Sequence, residues 1–397
     1  MVVLCTQGLG DPLVRNLMLE YIIRLQRDVQ GREVLLFTEE PPGAQVGQDM
    51  IEVLLKAGIT WCPLRYDVQG SQWIQKFRLA WTVVKRTRSF VHGHPGTWLI
   101  GYLSFGGSYA ALLAKLGLGR NMTVCFEPHS RYMVEMGIWS DGGLRHRIVR
   151  ALEHLQMRTA QALILPTRAG MEQAVSAGAK GELVLQGITI DVDAAAFDAT
   201  ARATYRAQHA LGDATVIAYV GKLGGIYYSV DAYLSFAERL LKVRPTMRFL
   251  VIASVDQLDE LKQHERFTEV AHAFVLQAPV PPERLHEVLS AADLGVIAVP
   301  PTPAQAFRTP VKTAHYWAAG LPIVIPSGVS DDPVIAAEEQ VGIVVKGLPD
   351  VDLDGFLVEL DRYMASDRES VRLRCMTAAR KHRDTKNMVA HLQRLLA

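Results

Sequence analysis

Cysteine is scarce in this chain: four residues, at positions 5, 62, 125 and 375, with no paired spacing. That excludes a disulfide framework and a cysteine zinc site, and it fits a reducing, cytoplasmic compartment. The opening MVVLCTQGLGDP lacks a basic n-region and a small-residue cleavage site, so no secretory leader is expected. Long uncharged stretches are also few. The longest, residues 89–114, is broken by His92, His94, Pro95 and several glycines, so it reads as a core strand and helix and not as a membrane span. There is no short internal repeat, no low-complexity tract and no nucleic-acid-binding module. Net charge is nearly absent at +1, but it is unevenly spread. Residues 1–190 hold 20 Lys/Arg against 15 Asp/Glu, a balance of +5, and the remainder holds 22 against 26, a balance of −4. Two readings fit this asymmetry: ordinary surface variation, or an anionic surface or substrate met by the first half.

What is present is apolar and ordered in pattern. The 397 residues are 49% hydrophobic and 21% charged, a globular composition in a chain too long for one core, so two domains are expected. Short apolar runs alternate with amphipathic ones: VVLCT (2–6), EVLLF (33–37), WCPLRY (61–66), SFVHGH (89–94), TVCFEPH (123–129), ALILPT (162–167) and LVLQGITI (183–190) read as strands. Helices are expected between them, one at 71–87 and one at 97–117. A second alternation runs from TVIAYVG (215–221) through MRFLVIA (247–253), FVLQAPV (274–280), DLGVIAVP (293–300) and LPIVIPS (321–327) to GIVVK (342–346). Such alternation predicts parallel βαβ units, hence an α/β chain of two Rossmann-like, doubly wound domains with ligand in the cleft between them. The divisions expected are 1–190, a hinge or linker at 191–213, a second domain at 214–375, and a C-terminal helical segment, 376–397, returning to the first domain.

Three local patterns can carry chemistry. TQGLGDP (6–12) follows the first strand, and Gly8 and Gly10 would let backbone approach a ligand; a tight turn without ligand is the plainer reading. GKLGG (221–225) follows the first strand of the second domain, where Gly221 and Lys222 suit a phosphate, or form a simple glycine turn. The stretch FRTPVKTAHYWAAGLPIV (307–324) is a basic helix start at the carboxyl edge of a sheet. Thr309 is the expected N-cap and Pro310 fits the first turn. The amides of Val311 and Lys312 would favour an anion, beside the charges of Arg308 and Lys312. Glu127 and His129 face the same expected cleft as an acid/base or acceptor-binding pair, or else end a strand structurally. His92 and His94 form an HxH without a third ligand at suggestive spacing, so polar lining is favoured over metal. Lys76, Arg78, Lys85, Arg86 and Arg88 interleave with Trp73, Phe77, Trp81 and Phe90, and Arg145, Arg147 and Arg150 form a second cluster. Either a solvated helix face or peripheral contact with anionic lipid accounts for them.

In order and spacing the chain resembles the GT-B glycosyltransferases, specifically retaining family 4. HGHPG (92–96), LILPTRAGMEQA (163–174), LQGITIDVDAAAF (185–197), YVGKLGGIYYSVDAYLSF (219–236), AADLGVIAVPP and TPVKTAHYWAAGLPIVIPS carry the resemblance. It implies a nucleotide-sugar donor held mainly by the second domain and a saccharide, lipid-linked or other cell-envelope acceptor held mainly by the first. It also implies retention at the anomeric carbon and no bound metal or cofactor. The donor contacts carried over are Gly8, Gly10, Gly221, Lys222, Arg308, Thr309, Pro310, Val311, Lys312 and His315, with His129, Glu127 and Lys222 catalytic. The chain departs from that pattern at Tyr227, where a second lysine usually stands, and at Phe307 and His315, where the E-x7-E acids fall. Those departures support a second reading, a silent GT-B subunit partnering an active transferase.

Overall fold

Strands buried on both faces tend to be near-continuous apolar runs, and several here are. VVLC, ALIL and IVIP are buried at every position. The computed structural model describes residues 1–11, 13–28, 32–66, 72–224, 229–348 and 350–397. Expectations placed on Pro12, Gly225 and Tyr227, and on the Trp73 side chain, lie outside the described residues. The chain divides into two units, Met1–Gly187 with Thr385–Ala397, and Ile188–Asp384. Among the described residues no helix is long and apolar enough to cross a membrane.

The first unit alternates β1 (Val2–Cys5), α1 (Leu19–Asp28), β2 (Val34–Glu40), α2 (Gln48–Lys56), β3 (Ile59–Arg65), α3 (Gln72–Gly93), β4 (Trp98–Tyr102), α4 (Leu103–Lys115) and β5 (Arg120–Val124). It continues with α5 (His129–Glu135), α6 (Leu144–Thr159), β6 (Ala162–Leu165), α7 (Arg168–Ser176) and β7 (Glu182–Leu185). Its seven strands are parallel in the order β3-β2-β1-β4-β5-β6-β7. The order reverses beside β1, the kind of switch point at which open α/β sheets bind ligands. At that point α4 rests directly on the sheet: a Cβ at Gly106 would overlap the Leu4 carbonyl, and one at Gly101 would overlap Gly107.

The second unit runs α8 (Ala199–Gln208), β8 (Val216–Val220), α9 (Val230–Val243), β9 (Arg248–Ile252), α10 (Val255–Gln263), α11 (Phe267–Val270), β10 (Phe274–Gln277), α12 (Leu285–Leu289), β11 (Leu294–Val296) and α13 (Val311–Ala318). Then come β12 (Ile323–Pro326), α14 (Asp332–Glu338), β13 (Gly342–Val345), α15 (Leu353–Ala365) and α16 (Arg368–Arg383). Its six parallel strands are ordered β10-β9-β8-β11-β12-β13, with the reversal between β8 and β11. Helices start on side-chain caps where the sequence offers them: Thr167, Asp198, Ser229, Asp352 and Asp367 each accept an amide three residues on.

The structure corrects three local expectations. SFVHGH (89–94) is not a strand but the end of α3, because nothing breaks the helix before Gly93. Phe90 turns into the core there and stacks on His94 at 4.2 Å between centroids. The strand expected there is β4, and the helix expected over 97–117 is split between β4 and α4. Residues 191–213, expected as a hinge or linker, include helix α8. Helix α8 is tied to the second unit by Arg202, which donates to Asp293 (2.7 Å) and to the Ala292 carbonyl (2.6 Å), and by Arg206, which donates to the Ala291 carbonyl at 2.8 Å. The last helical segment is interrupted at Asp384. α16 ends before it, and a separate helix, α17 (Thr385–Leu396), belongs to the first unit, where Arg32 donates to the Leu396 carbonyl at 3.1 Å.

Candidate functional site

In the second unit the loop after β8 and the start of α13 meet. Gly221 has φ +99, a conformation that disfavours a side chain, and a Cβ there would approach Lys312 Cε to 3.2 Å. The Lys312 ammonium is itself buried and lies 3.9 Å from the centre of the Tyr219 ring, a cation–π geometry. The same Tyr219 donates its hydroxyl to the Lys222 carbonyl, so one ring supports Lys312 and fixes the turn that carries Lys222. The Lys222 residue is exposed. Leu223 N–H donates to Gln257 Oε1 at 3.2 Å, and Gly224, at φ +82, leaves room for Glu260.

Helix α13 is held in place by Tyr316, four residues after Lys312 and therefore on the same face. Its hydroxyl accepts from Val220 N–H at 3.0 Å and donates to the Val296 carbonyl at 3.3 Å, joining the ends of β8 and β11. A Cβ at Gly295 would overlap the Tyr316 ring. The helix start differs by one position from expectation: Pro310 is the N-cap, with ψ 123, no side chain caps the helix, and Thr309 is buried outside it. Arg308 is half-buried where a short turn over Gln305–Phe307 ends. Phe307 is buried in the core.

Desolvation sets the electrostatics. Burial pulls the Lys312 pKa well below 10.5 and lowers that of His315 from 6.5 to about 4. His315 is therefore neutral at pH 7, able to donate or accept one hydrogen bond but unable to offer a two-oxygen clamp.

In the first unit, Gly8 and Gly10 lie in the loop after β1. Gly8 is closely packed, since a Cβ there would come 2.8 Å from Glu40 Oε2 and 3.3 Å from the Glu39 carbonyl; around Gly10 the space is open. Buried Glu40 shapes this loop: its Oε1 accepts from Leu9 N–H at 3.0 Å and from the Thr38 hydroxyl, which in turn accepts from Trp61 Nε1 at 2.8 Å. His129 opens α5 at the carboxyl end of β5, with its ring among Phe105 (4.7 Å), Tyr132 (6.1 Å) and Trp139 (5.5 Å). Buried Glu153 caps that helix, accepting from Ser130 N–H (2.9 Å), the Ser130 hydroxyl and the Ser104 hydroxyl (3.1 Å). Burial raises the Glu153 pKa. Glu127 is half-buried two residues before His129.

The expected residues thus form two groups. Gly221, Lys222, Arg308, Thr309, Pro310, Val311, Lys312 and His315 belong to the second unit; Gly8, Gly10, Glu127 and His129 belong to the first. His92 and His94 fall elsewhere, at the amino edge before β4, where His94 Nδ1 bonds the Phe90 carbonyl at 2.8 Å. Among the described residues no three His, Cys, Asp or Glu side chains are placed to hold a metal. Sequence reasoning missed Tyr219, Tyr316, Gln257 and Glu40, whose roles arise from contacts across tens of residues.

No family model matches the chain, and no curated protein does. Solved structures do. HepE of Anabaena in complex with UDP is similar at TM-score 0.69 and 13% identity, over 100% of this chain and 99% of that one. The same protein with UDP-glucose gives 0.67 and 12%, over 100% and 98%. Sucrose-phosphate synthase from Thermosynechococcus elongatus gives 0.69 and 13%, over 100% and 98%. These neighbours are GT-B glycosyltransferases, and the fold of this chain is GT-B.

Proposed function

We propose that the chain is a glycosyltransferase that moves a sugar from a nucleotide-sugar donor to a glycan or lipid-linked acceptor of the cell envelope, with retention at the anomeric carbon and without a bound metal. The observation that carries this reading is the meeting of Lys312, Tyr219 and Gly221 at the start of α13. A diphosphate placed there would face Lys312, the exposed Lys222 and the α13 start, with Arg308 one turn away. Those groups stabilise the charge that develops on the leaving diphosphate as the glycosidic bond breaks. The structural neighbours bound to UDP and UDP-glucose support a uridine nucleotide as the first donor to test.

Neutral His315 replaces a ribose-holding acid, so the donor is held chiefly through its phosphates. Gly8, Gly10, Glu127 and His129 would serve the sugar and acceptor, the aromatic surround of His129 offering flat apolar faces to sugar rings. A cytoplasmic reaction fits the four free cysteines. The test is a thermal-shift and calorimetric panel of nucleotide sugars, followed by donor hydrolysis and transfer assays. Stabilisation by at least one nucleotide sugar, with turnover, is expected. Binding without turnover would reassign the chain as a silent subunit, and binding of none would remove the donor site.

A further inference from the structure

We propose that the outer face of α3 docks on an anionic lipid bilayer. The inference stands on the first unit alone and does not depend on the donor-site reading.

Helix α3 is apolar on two opposite faces. One face, with Leu79, Val83, Val84 and Phe90, packs on the sheet core. The other carries Ile74, Phe77 and Trp81 at 57%, 72% and 63% exposure, on a stripe continued by Arg78, Lys85 and Arg88, all exposed. The spacing 74, 77, 78, 81, 85, 88 keeps these six on one side of a helix with 3.6 residues per turn. Folding does not use this stripe, since the core is already served by the opposite face. Three large apolar side chains held in water on one helix face mark an interaction surface and not scatter.

Charge identifies the occupant. Helix α3 holds five Lys/Arg and no Asp/Glu, and residues 68–126 contain no acidic residue at all. The stripe ends in an open cavity of about 480 Å³ lined by Lys85, Arg88, Ser89, Val91, His92 and Leu118, two cations beside two apolar side chains. Apolar side chains beside cations, on a helix lying along a surface, match the acyl–headgroup boundary of an anionic leaflet. In that pose Phe77 and Trp81 enter the boundary, Arg78 stays at headgroup level, and the basic cavity takes a lipid phosphate. A second copy of this face is a poor partner, because it would set three cations against three.

Co-sedimentation of the full chain with vesicles tests this. Membranes of about one-third phosphatidylglycerol in phosphatidylcholine should retain the protein at low salt, pure phosphatidylcholine should not, and added salt should release it. The double variant Phe77→Ser/Trp81→Ser should lose at least ~10-fold in partitioning, with unchanged melting temperature because both side chains are exposed. Lys85→Glu/Arg88→Glu should do the same through charge. Failure of the wild type to bind anionic vesicles, or equal binding by wild type and variants, overturns the proposal. So does a concentration-dependent dimer, seen by analytical ultracentrifugation, that the Phe77/Trp81 variant abolishes without any vesicle binding.

Discussion

Burial strips hydration from the Lys312 ammonium, which sits over the Tyr219 ring, and pulls its pKa well below 10.5. In the ligand-free protein this is a cost, and an anionic ligand would turn it into affinity. Lys312→Met keeps the side-chain volume and removes the charge. The variant should therefore melt about 2–4 °C higher without ligand, as a relief of order 1 kcal/mol would give. It should also lose at least ~10-fold in turnover, the scale of a lost charge contact in a preorganised site. Calorimetric melting and sugar-transfer kinetics read the two effects separately; an unchanged rate would remove Lys312 from the site. His315 gives a pH signature. Its folded pKa of about 4 lies below the unfolded 6.5, so between those values the unfolded chain binds the extra proton and stability falls as pH drops. At about 1.4 kcal/mol per unit the whole gap is worth roughly 3 kcal/mol. His315→Gln should flatten the acid limb of a denaturant-stability profile between about pH 7 and pH 4.5. Parallel profiles for wild type and variant would show that His315 is solvated.

At the level of elements, α13 is positioned by contacts and not by its own sequence. Tyr316→Phe leaves the Val220 N–H without its acceptor, which should cost about 1–3 kcal/mol in urea unfolding and loosen the β8 turn that carries Lys222. Gly295→Ala should cost more, because the added methyl meets the Tyr316 ring. Little or no change in either variant would mean the helix is anchored elsewhere. These contacts explain what was legible in the sequence. Most of the parallel strands were, β4 excepted, since they centre on short apolar runs, and so were the glycine turn at 221 and the basic helix start at 308–312, since each is local. The 96-residue reach from Val220 to Tyr316 and the 31-residue reach from Leu9 to Glu40 were not. The α3 end misled for a physical reason: SFVHGH has strand-like side chains, but helix α3 runs unbroken into it and no turn precedes it. Around Gly106 and Gly107 the glycines serve close packing of α4 on the sheet and do not break the helix.

Across the whole molecule the chain visits the first unit twice. Helix α17 buries Met388, Val389, Leu392 and Leu396, and Arg394 pairs with Glu182 in β7. Four buried apolar side chains at about 1.5–3 kcal/mol each are comparable with the whole stability of an ordinary domain, about 5–15 kcal/mol. The second unit does not depend on them: its chain closes at Asp384, where Ile190 N–H donates to the Arg383 carbonyl at 2.9 Å and buried Arg383 pairs with Asp332. A chain ending at Asp384 should therefore lose the first unit selectively. Hydrogen exchange should show amides of β1–β7 unprotected while those of β8–β13 stay protected, and any nucleotide-dependent protection near β8 and α13 should persist. Uniform loss of protection across both sheets would mean that the two units fold as one, and that α17 stabilises more than the sheet it packs beside.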